Sequence, residues 1–460
     1  MTASPPRRAR ARTAVDPARA AAYAVLMKVA VDDAYLNLAL NQVRDEARLV
    51  PRDAAFVTEL AAGTARMQGL YDAVLDTRVR GGVSTLEPAV LVGLRLGVHQ
   101  LLSLRVPDHA AVGTSVELVR AAVGERPVRL VNAVLRGVAR ADLETWIGEV
   151  APPRDDDLLG HLAVRHAHPR WMVEEFARAL PDGEGLEVLL AADNAPAAVT
   201  LAARPGLMSR SVLETAGATP GRWSPYAASW VGDPGVLPEV RSGRVGVQDE
   251  GSQLVAMALA AASFDGRDER WLDLCAGPGG KAAMLTGLAL ARNAVLLANE
   301  PLPHRAKLVA SALRAYGGAS TVVCGDGVVP ALAPGAFDRV LVDAPCSGLG
   351  SLRRRPESRW RRTPADLDGL VRLQRGLLSS ALDLVRPGGV VAYVTCSPVL
   401  AETRGVVDAV LGARAGDVGE DDARATLRGV PALGDGPHFQ LWPHLHGTDA
   451  MFCALLRRQG

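Results

Sequence analysis

The sequence predicts a multidomain protein: an all-α helical domain, a small α+β connecting subdomain, and an α/β doubly wound domain built on a parallel sheet. Three observations predict it. From residue 15 to 145 apolar positions recur at helical intervals throughout. Between 146 and 244 the composition shifts to Pro, Asp and Gly. From 245 to 460 short apolar strands alternate with longer helices, which implies parallel strands joined by crossover helices.

A chain of 460 residues is too long for one typical core, so several domains are expected. With 48% hydrophobic and 22% charged residues the composition is that of an ordinary soluble protein. No apolar run approaches the roughly 20 residues that span a bilayer, and no membrane partner is expected. Residues 1–14, with Arg7, Arg8, Arg10 and Arg12, read as a disordered basic arm, without the apolar core or cleavage pattern of a secretion signal. A cytoplasmic location follows. The net charge of +1 says nothing in total about a polyanionic partner, so that argument rests on where the arginines cluster. Five unpaired cysteines, none in the first 270 residues and none in C-x-x-C spacing, suit a reducing compartment and no zinc site.

In the helical segment, Ala20–Met27, Ala55–Leu60 and Val90–Leu102 carry the apolar stripes, punctuated by Pro51, Gly81-Gly82 and Pro107-Asp108. Its last helix interleaves Arg129, Asn132 and Arg136 among core positions. Residues 15–145 are similar to the NusB-like RNA-binding domain, on patterns such as Asp53-Ala54-Ala55-Phe56-Val57 and Val131-Asn132-Ala133-Val134-Leu135-Arg136. In the connecting subdomain His166, His168, Trp171 and Phe176 fall in a helix-like stretch, and Ala198–Arg204 reads as a strand. The two histidines lack further spaced ligands, so no metal is expected.

In the last segment the expected strands are Trp271–Leu274, Ala294–Asn299, Thr321–Cys324, Arg339–Val342 and Val390–Val394, with an antiparallel edge strand near Thr448–Leu456. Helices are expected over His304–Tyr316 and Leu367–Leu384. The first strand runs into Cys275-Ala276-Gly277-Pro278-Gly279-Gly280-Lys281, a glycine-rich turn opening a helix. It is neither G-x-G-x-x-G nor a Walker loop, which disfavours dinucleotides and nucleoside triphosphates. Glu300 closes the second strand, where such folds set an acid against ribose hydroxyls, and Asp326 follows the third, beside an adenine position. Together these features resemble the S-adenosylmethionine-binding half of class I methyltransferases.

The next two strands each end at a cysteine, in Asp343-Ala344-Pro345-Cys346-Ser347-Gly348 and Thr395-Cys396-Ser397. Carbon five of cytosine is too weakly nucleophilic to take a methyl group unaided. A thiolate added at carbon six moves electron density to carbon five, and that chemistry needs a cysteine, a group near N3 and a proton acceptor. The residues alone do not rank the two thiols. The pair of motifs resembles the RNA 5-methylcytosine methyltransferases, and with the NusB-like segment in front the chain resembles their RsmB/Sun/Fmu branch. The resemblance implies that Cys396 is the nucleophile, that Cys346 assists product release, and that Asp343 and Lys281 contact the base. It also implies S-adenosyl-L-methionine as cofactor, held by residues 275–281, Glu300, Asp326 and Asp343, and small-subunit ribosomal RNA as partner; a monomer is expected, though nothing in the sequence reads out the oligomeric state. Two positions depart from the family pattern: Gly277 stands where alanine is usual, expected to be harmless, and Glu300 where aspartate is usual. Cys275, Cys324 and Cys453 read as small core residues.

After the first thiol motif come Arg353, Arg354, Arg355, Arg359, Trp360, Arg361 and Arg362, read as an RNA-contacting run: arginines for phosphates and a ring to stack on an unpaired base. The target carbon is inaccessible in a stacked helix, so a single-stranded or flipped-out substrate is expected. An exocyclic-amine methyltransferase would need no thiol and favours an Asn/Asp-Pro-Pro-aromatic loop. A non-catalytic ribosome-assembly factor retaining the fold would have no use for intact Asp343, Cys346 and Cys396.

Overall fold

The protein is described by a computed structural model covering residues 15–47, 49–104, 106–180 and 185–460; the basic arm expected over 1–14 lies outside the described residues. The chain forms two compact units, one of residues up to Val173 with Arg355–Glu357, the other of Glu174–Arg354 with Ser358–Gly460.

The first unit is helical. Its opening helix Pro17–Val31 begins where Asp16 accepts from the Arg19 N–H at 2.8 Å and proline occupies the first turn. The helix Pro88–Leu102 is buried on most of its circumference. Gly93 and Gly97, one turn apart, make that burial feasible: a Cβ there would lie 2.3 Å from Val119 Cγ2 and 2.7 Å from Leu135 Cδ1. The helices Asp108–Val123 and Val128–Val138 can therefore approach its backbone. Val131, Val134, Leu135 and Val138 face the core while Arg129 and Arg136 stay exposed. The same core continues through Trp146, Ile147 and Ala167. The helical pattern around His166 is two helices, Leu158–Arg165 and Arg170–Ala179, because Pro169 disfavours helix at His168 and Ala167 turns with a φ of 54°.

The second unit holds two sheets among the described residues. The smaller is antiparallel, from β1 (Val199–Ala203), β2 (Thr219–Pro220), β3 (Ala227–Trp230) and β4 (Val245–Val247) in the order β2-β3-β1-β4. The larger comprises β5 (Arg270–Asp273), β6 (Val295–Asn299), β7 (Ser320–Val323), β8 (Phe337–Asp343), β9 (Val385–Thr395), β10 (Val418–Asp421), β11 (Phe439–Gln440) and β12 (Phe452–Arg458). Its order is β7-β6-β5-β8-β9-β12-β10, with β11 beside β12. Strands β5 to β9 are parallel, and β12 runs antiparallel to β9.

Helices cover both faces. Leu254–Leu259, Ala282–Ala289 and Val309 pack on one side of the sheet, Leu377–Leu384 and Val406–Val410 on the other. A sheet buried on both faces selects continuous apolar strands, and β8 is buried from Phe337 to Val342. The long helix Pro364–Leu384 opens with a capping box in which the Thr363 N–H donates to Asp366 at 2.7 Å. Strand order reverses between β5 and β8, which places a crevice at their carboxyl ends.

Candidate active site

Five consecutive strand ends supply the site. After β5 the loop Leu274–Gly279 leads into the helix Gly280–Leu290, and Gly279 takes a φ of 110°, a left-handed conformation that suits glycine. A Cβ there would also meet Ala312 at 2.6 Å, so this glycine lets the helix Pro303–Leu313 close against the loop. At the end of β6, Asn299 Nδ2 donates to the carbonyls of Leu274 and Gly325, each at 3.0 Å, and so ties the β5, β6 and β7 ends together. Glu300 is 2% exposed; its Oε1 accepts from Leu302 N at 3.1 Å and its Oε2 lies 3.7 Å from Arg305 Nε. Arg305 donates to the Gly277 carbonyl at 3.0 Å. Asp326 is exposed after β7, its Oδ1 accepting from Val328 N at 2.7 Å.

The ends of β8 and β9 bring the second group together. Cys346 Sγ lies 3.4 Å from Cys396 Sγ. Lys281 Nζ, reaching over from the helix after β5, donates to Asp343 Oδ2 at 2.8 Å. Both thiols are half-buried. Their contact displaces them in opposite directions: Cys396 falls below the ordinary thiol value through its hydrogen bond with Cys346, with Lys281 acting the same way against burial and the Asp343 and Asp449 charges. Cys346 is held well above it, first by that contact and then by burial and the Glu402 charge. Burial alone would lower the Lys281 ammonium, but Asp343, Cys396 and Asp273 outweigh it and raise it.

Asp273, at the end of β5, heads the glycine-rich stretch and has no role assigned from the sequence. It is 1% exposed and neither carboxylate oxygen has a hydrogen-bond partner among the described residues. Burial, reinforced by the charges of Asp343 and Glu300, pushes it up to about 8 against the opposing pull of Lys281. Asp273, Glu300 and Asp326 stand at or just after the ends of three consecutive strands beside the glycine turn, and acids at these strand ends could hold a cationic sulfonium nucleoside. The residues present therefore fit S-adenosylmethionine.

The arginine run is not one exposed face. Arg359 corrects that expectation: it is 0% exposed, with its guanidinium donating to the Asp193 carbonyl at 3.1 Å, because the short helix Ser358–Arg361 turns it into the interior. Arg354 pairs with Asp449, Arg353 donates to the Gly447 carbonyl at 2.8 Å, and Arg355 lies 5.1 Å from the Tyr35 ring within the helical unit. Trp360 is exposed, and Arg361 and Arg362 are half-buried. Cys324 is a second correction: it is exposed, donating to the Pro301 carbonyl at 3.3 Å, since β7 ends before it. Cys453 is buried as expected and Cys275 partly so. Among the described residues no cluster of His, Cys, Asp or Glu could hold a metal ion, and no helix is long and apolar enough to cross a membrane.

A doubly wound sheet with a glycine turn, strand-end acids and an antiparallel last strand is the fold of a class I methyltransferase. Residues 261–457 match the 16S rRNA methyltransferase RsmB/F family and residues 16–140 the NusB family. The chain is 52% identical to "Putative methyltransferase Rv1407" of Mycobacterium tuberculosis, over 97% of this chain and 98% of the relative. It is 32% identical to ribosomal RNA small subunit methyltransferase B of Vibrio cholerae, over 96% and 97% of the two chains. Among solved structures, PH0851 matches with a TM-score of 0.78 at 20% identity, covering 97% of this chain and all of its own. A methyltransferase homolog from Pyrococcus horikoshii matches with a TM-score of 0.53 at 23% identity, covering 65% and 97%. The chain belongs to the RsmB/F methyltransferase family, with a NusB domain in front.

Proposed function

We propose that this protein methylates carbon five of a cytosine in small-subunit ribosomal RNA, using S-adenosylmethionine and a covalent adduct between Cys396 and carbon six. The observation that carries the reading is the 3.4 Å contact of two thiols at adjacent strand ends, beside the 2.8 Å Lys281–Asp343 pair. The lowered thiol is the better nucleophile at neutral pH. Cys396 adds as thiolate to carbon six, and the ring electrons shift to carbon five while Asp343 and Lys281 hold the N3 edge and supply a proton there. Bound next to this site by the loop 275–281, Glu300 and Asp326, the cofactor supplies an electrophilic methyl group for carbon five.

Once its charge is consumed in the carbon–sulfur bond, Cys396 no longer accepts from Cys346. Cys346 then assists release: the carbon-five proton passes to water, its electrons re-form the ring double bond, the Cys396 thiolate is expelled, and the N3 proton returns to the Asp343–Lys281 pair. Among the arginine run, Arg354, Trp360 and Arg362 retain exposure for RNA, and the exposed Arg129 and Arg136 give the NusB domain a basic face for flanking nucleotides.

The test incubates unmodified rRNA and cofactor with the wild type, Cys396→Ala and Cys346→Ala. Cys396→Ala should abolish 5-methylcytosine, and Cys346→Ala should accumulate an RNA adduct that survives denaturant. Full activity of Cys396→Ala would refute the mechanism.

A further inference from the structure

Each thiol is followed by a serine, and both serines reach the same carboxylate. Glu402 lies in the turn after β9 and is 0% exposed. Its Oε1 accepts from the Ser347 N–H at 2.7 Å and from Gln374 Nε2 at 3.0 Å. Its Oε2 accepts from the hydroxyls of Ser347 and Ser397, the latter at 2.7 Å. The two hydroxyls are themselves 3.1 Å apart. Gln374 also donates to the Pro345 carbonyl at 2.9 Å, just before Cys346, and Tyr393 donates to the Glu402 carbonyl at 2.7 Å. Four donors thus converge on one buried carboxylate, and among the described residues no cation pairs with it.

A buried carboxyl needs its lone pairs satisfied by hydrogen bonds, and here four donors satisfy them. What these bonds fix is the register of the β8 and β9 turns. Without them, nothing but backbone pairing would hold Cys346 and Cys396 at contact distance. The Ala344 N–H donates to the Val394 carbonyl at 2.9 Å before both turns, and the Gly350 N–H donates to the Cys396 carbonyl at 2.9 Å from four residues beyond Cys346, so the bond that holds the Cys346–Ser347 peptide itself is the one to Glu402.

We propose that Glu402 is a positioning residue that clamps the Cys346 and Cys396 turns through Ser347 and Ser397 and so sets the thiol–thiol contact on which methyl transfer depends. The proposal rests on the two-thiol reading of the site, but its test does not. In the full chain without RNA or cofactor, the azo oxidant diamide takes two electrons and two protons from adjacent thiols, leaving a disulfide and the hydrazine. The rate of Cys346–Cys396 closure, read by peptide mass spectrometry, reports thiol juxtaposition alone, and alkylation of the exposed Cys324 serves as internal reference.

Glu402→Ala should slow closure and lower kcat with KM for RNA little changed, each rate falling by about 100-fold, the scale on which a misplacement of ~1 Å acts. Glu402→Gln should restore most of both, because one amide oxygen still accepts from Ser347 N–H and Gln374 while the amide N–H group donates to the rotated serine hydroxyls. Cys324 alkylation should stay constant. If Glu402→Ala does not fold, Ser397→Ala decides, with a loss of about tenfold in closure expected from removing one of the four bonds. Failure of the wild type to close, or closure at the wild-type rate in Glu402→Ala or Ser397→Ala, would overturn the clamp. Loss of closure without loss of methylation would instead count against the two-thiol mechanism and leave the clamp standing.

Discussion

Gly277→Ala should weaken cofactor binding, and adding Glu300→Asp in the same chain should restore it. The φ of Gly277 lies outside the left-handed region, so alanine meets no backbone obstacle there. The obstacle is one side chain: a Cβ would lie 2.0 Å from Glu300 Oε2 and 2.9 Å from both Glu300 Cδ and Arg305 Nη2. Ordinary contact requires the carboxylate to retreat by roughly 1.5 Å. It has little room, being 2% exposed and held by the Leu302 N–H. Overpacking of this kind costs about 1–3 kcal/mol. Because the atom that yields is a side-chain end rather than backbone, the cost should appear as a displaced Glu300 carboxylate and, at the proposed cofactor site, as a loss of about 5- to 150-fold in affinity, with little change in melting temperature. Aspartate is one methylene shorter and withdraws its oxygens from that volume. Calorimetric titration of the full chain with S-adenosylhomocysteine should therefore give a coupling of at least ~1 kcal/mol between the two substitutions. Additive effects, or unchanged binding by Gly277→Ala, would refute the reasoning. On this prediction the two departures are complementary, glycine at 277 leaving the room that the longer Glu300 side chain takes up.

Two further outcomes follow from groups beside the thiols. The Asp273 carboxyl is raised from 3.8 to about 8 in the folded chain, so the stabilisation it contributes is complete below the unfolded value and is lost as pH rises through about 8. Relative to Asp273→Asn, the wild type should lose stability between those limits, at most ~1.4 kcal/mol per pH unit, in denaturant titrations of the pair; parallel pH profiles would count against it. Gly350→Ala should destabilise the second unit by at least ~2 kcal/mol and cripple methyl transfer, because its Cβ would lie 2.2 Å from the Ala450 carbonyl oxygen and 2.8 Å from that of Cys396. Both obstacles are backbone, so wild-type melting would show that the β9 and β12 ends are not held as described.

What the sequence made legible was whatever its physics repeats locally. A sheet covered on both faces demands unbroken apolar strands, so β5 to β8 stood out to within a few residues, and the strand-end rule then located Glu300, Asp326, Asp343, Cys346 and Cys396. The start of β9 did not stand out: Pro387-Gly388-Gly389 looks like a turn, yet the strand runs from Val385, with Gly388 at a φ of 76°. Contacts between distant residues leave no such trace. Ser347 and Glu402 are 55 positions apart, and Arg359 meets the Asp193 carbonyl across 166, so a charged residue facing a buried acceptor reads like one facing water. One local signal for Glu402 does exist. Cys346-Ser347 and Cys396-Ser397 are two thiol–hydroxyl pairs at the ends of adjacent parallel strands, and serines buried there need an acceptor. The next acid after the second pair, alone in Val399-Leu400-Ala401-Glu402, is within reach of both. Asking which group satisfies the serines would have led from the thiols to the residue that holds them together.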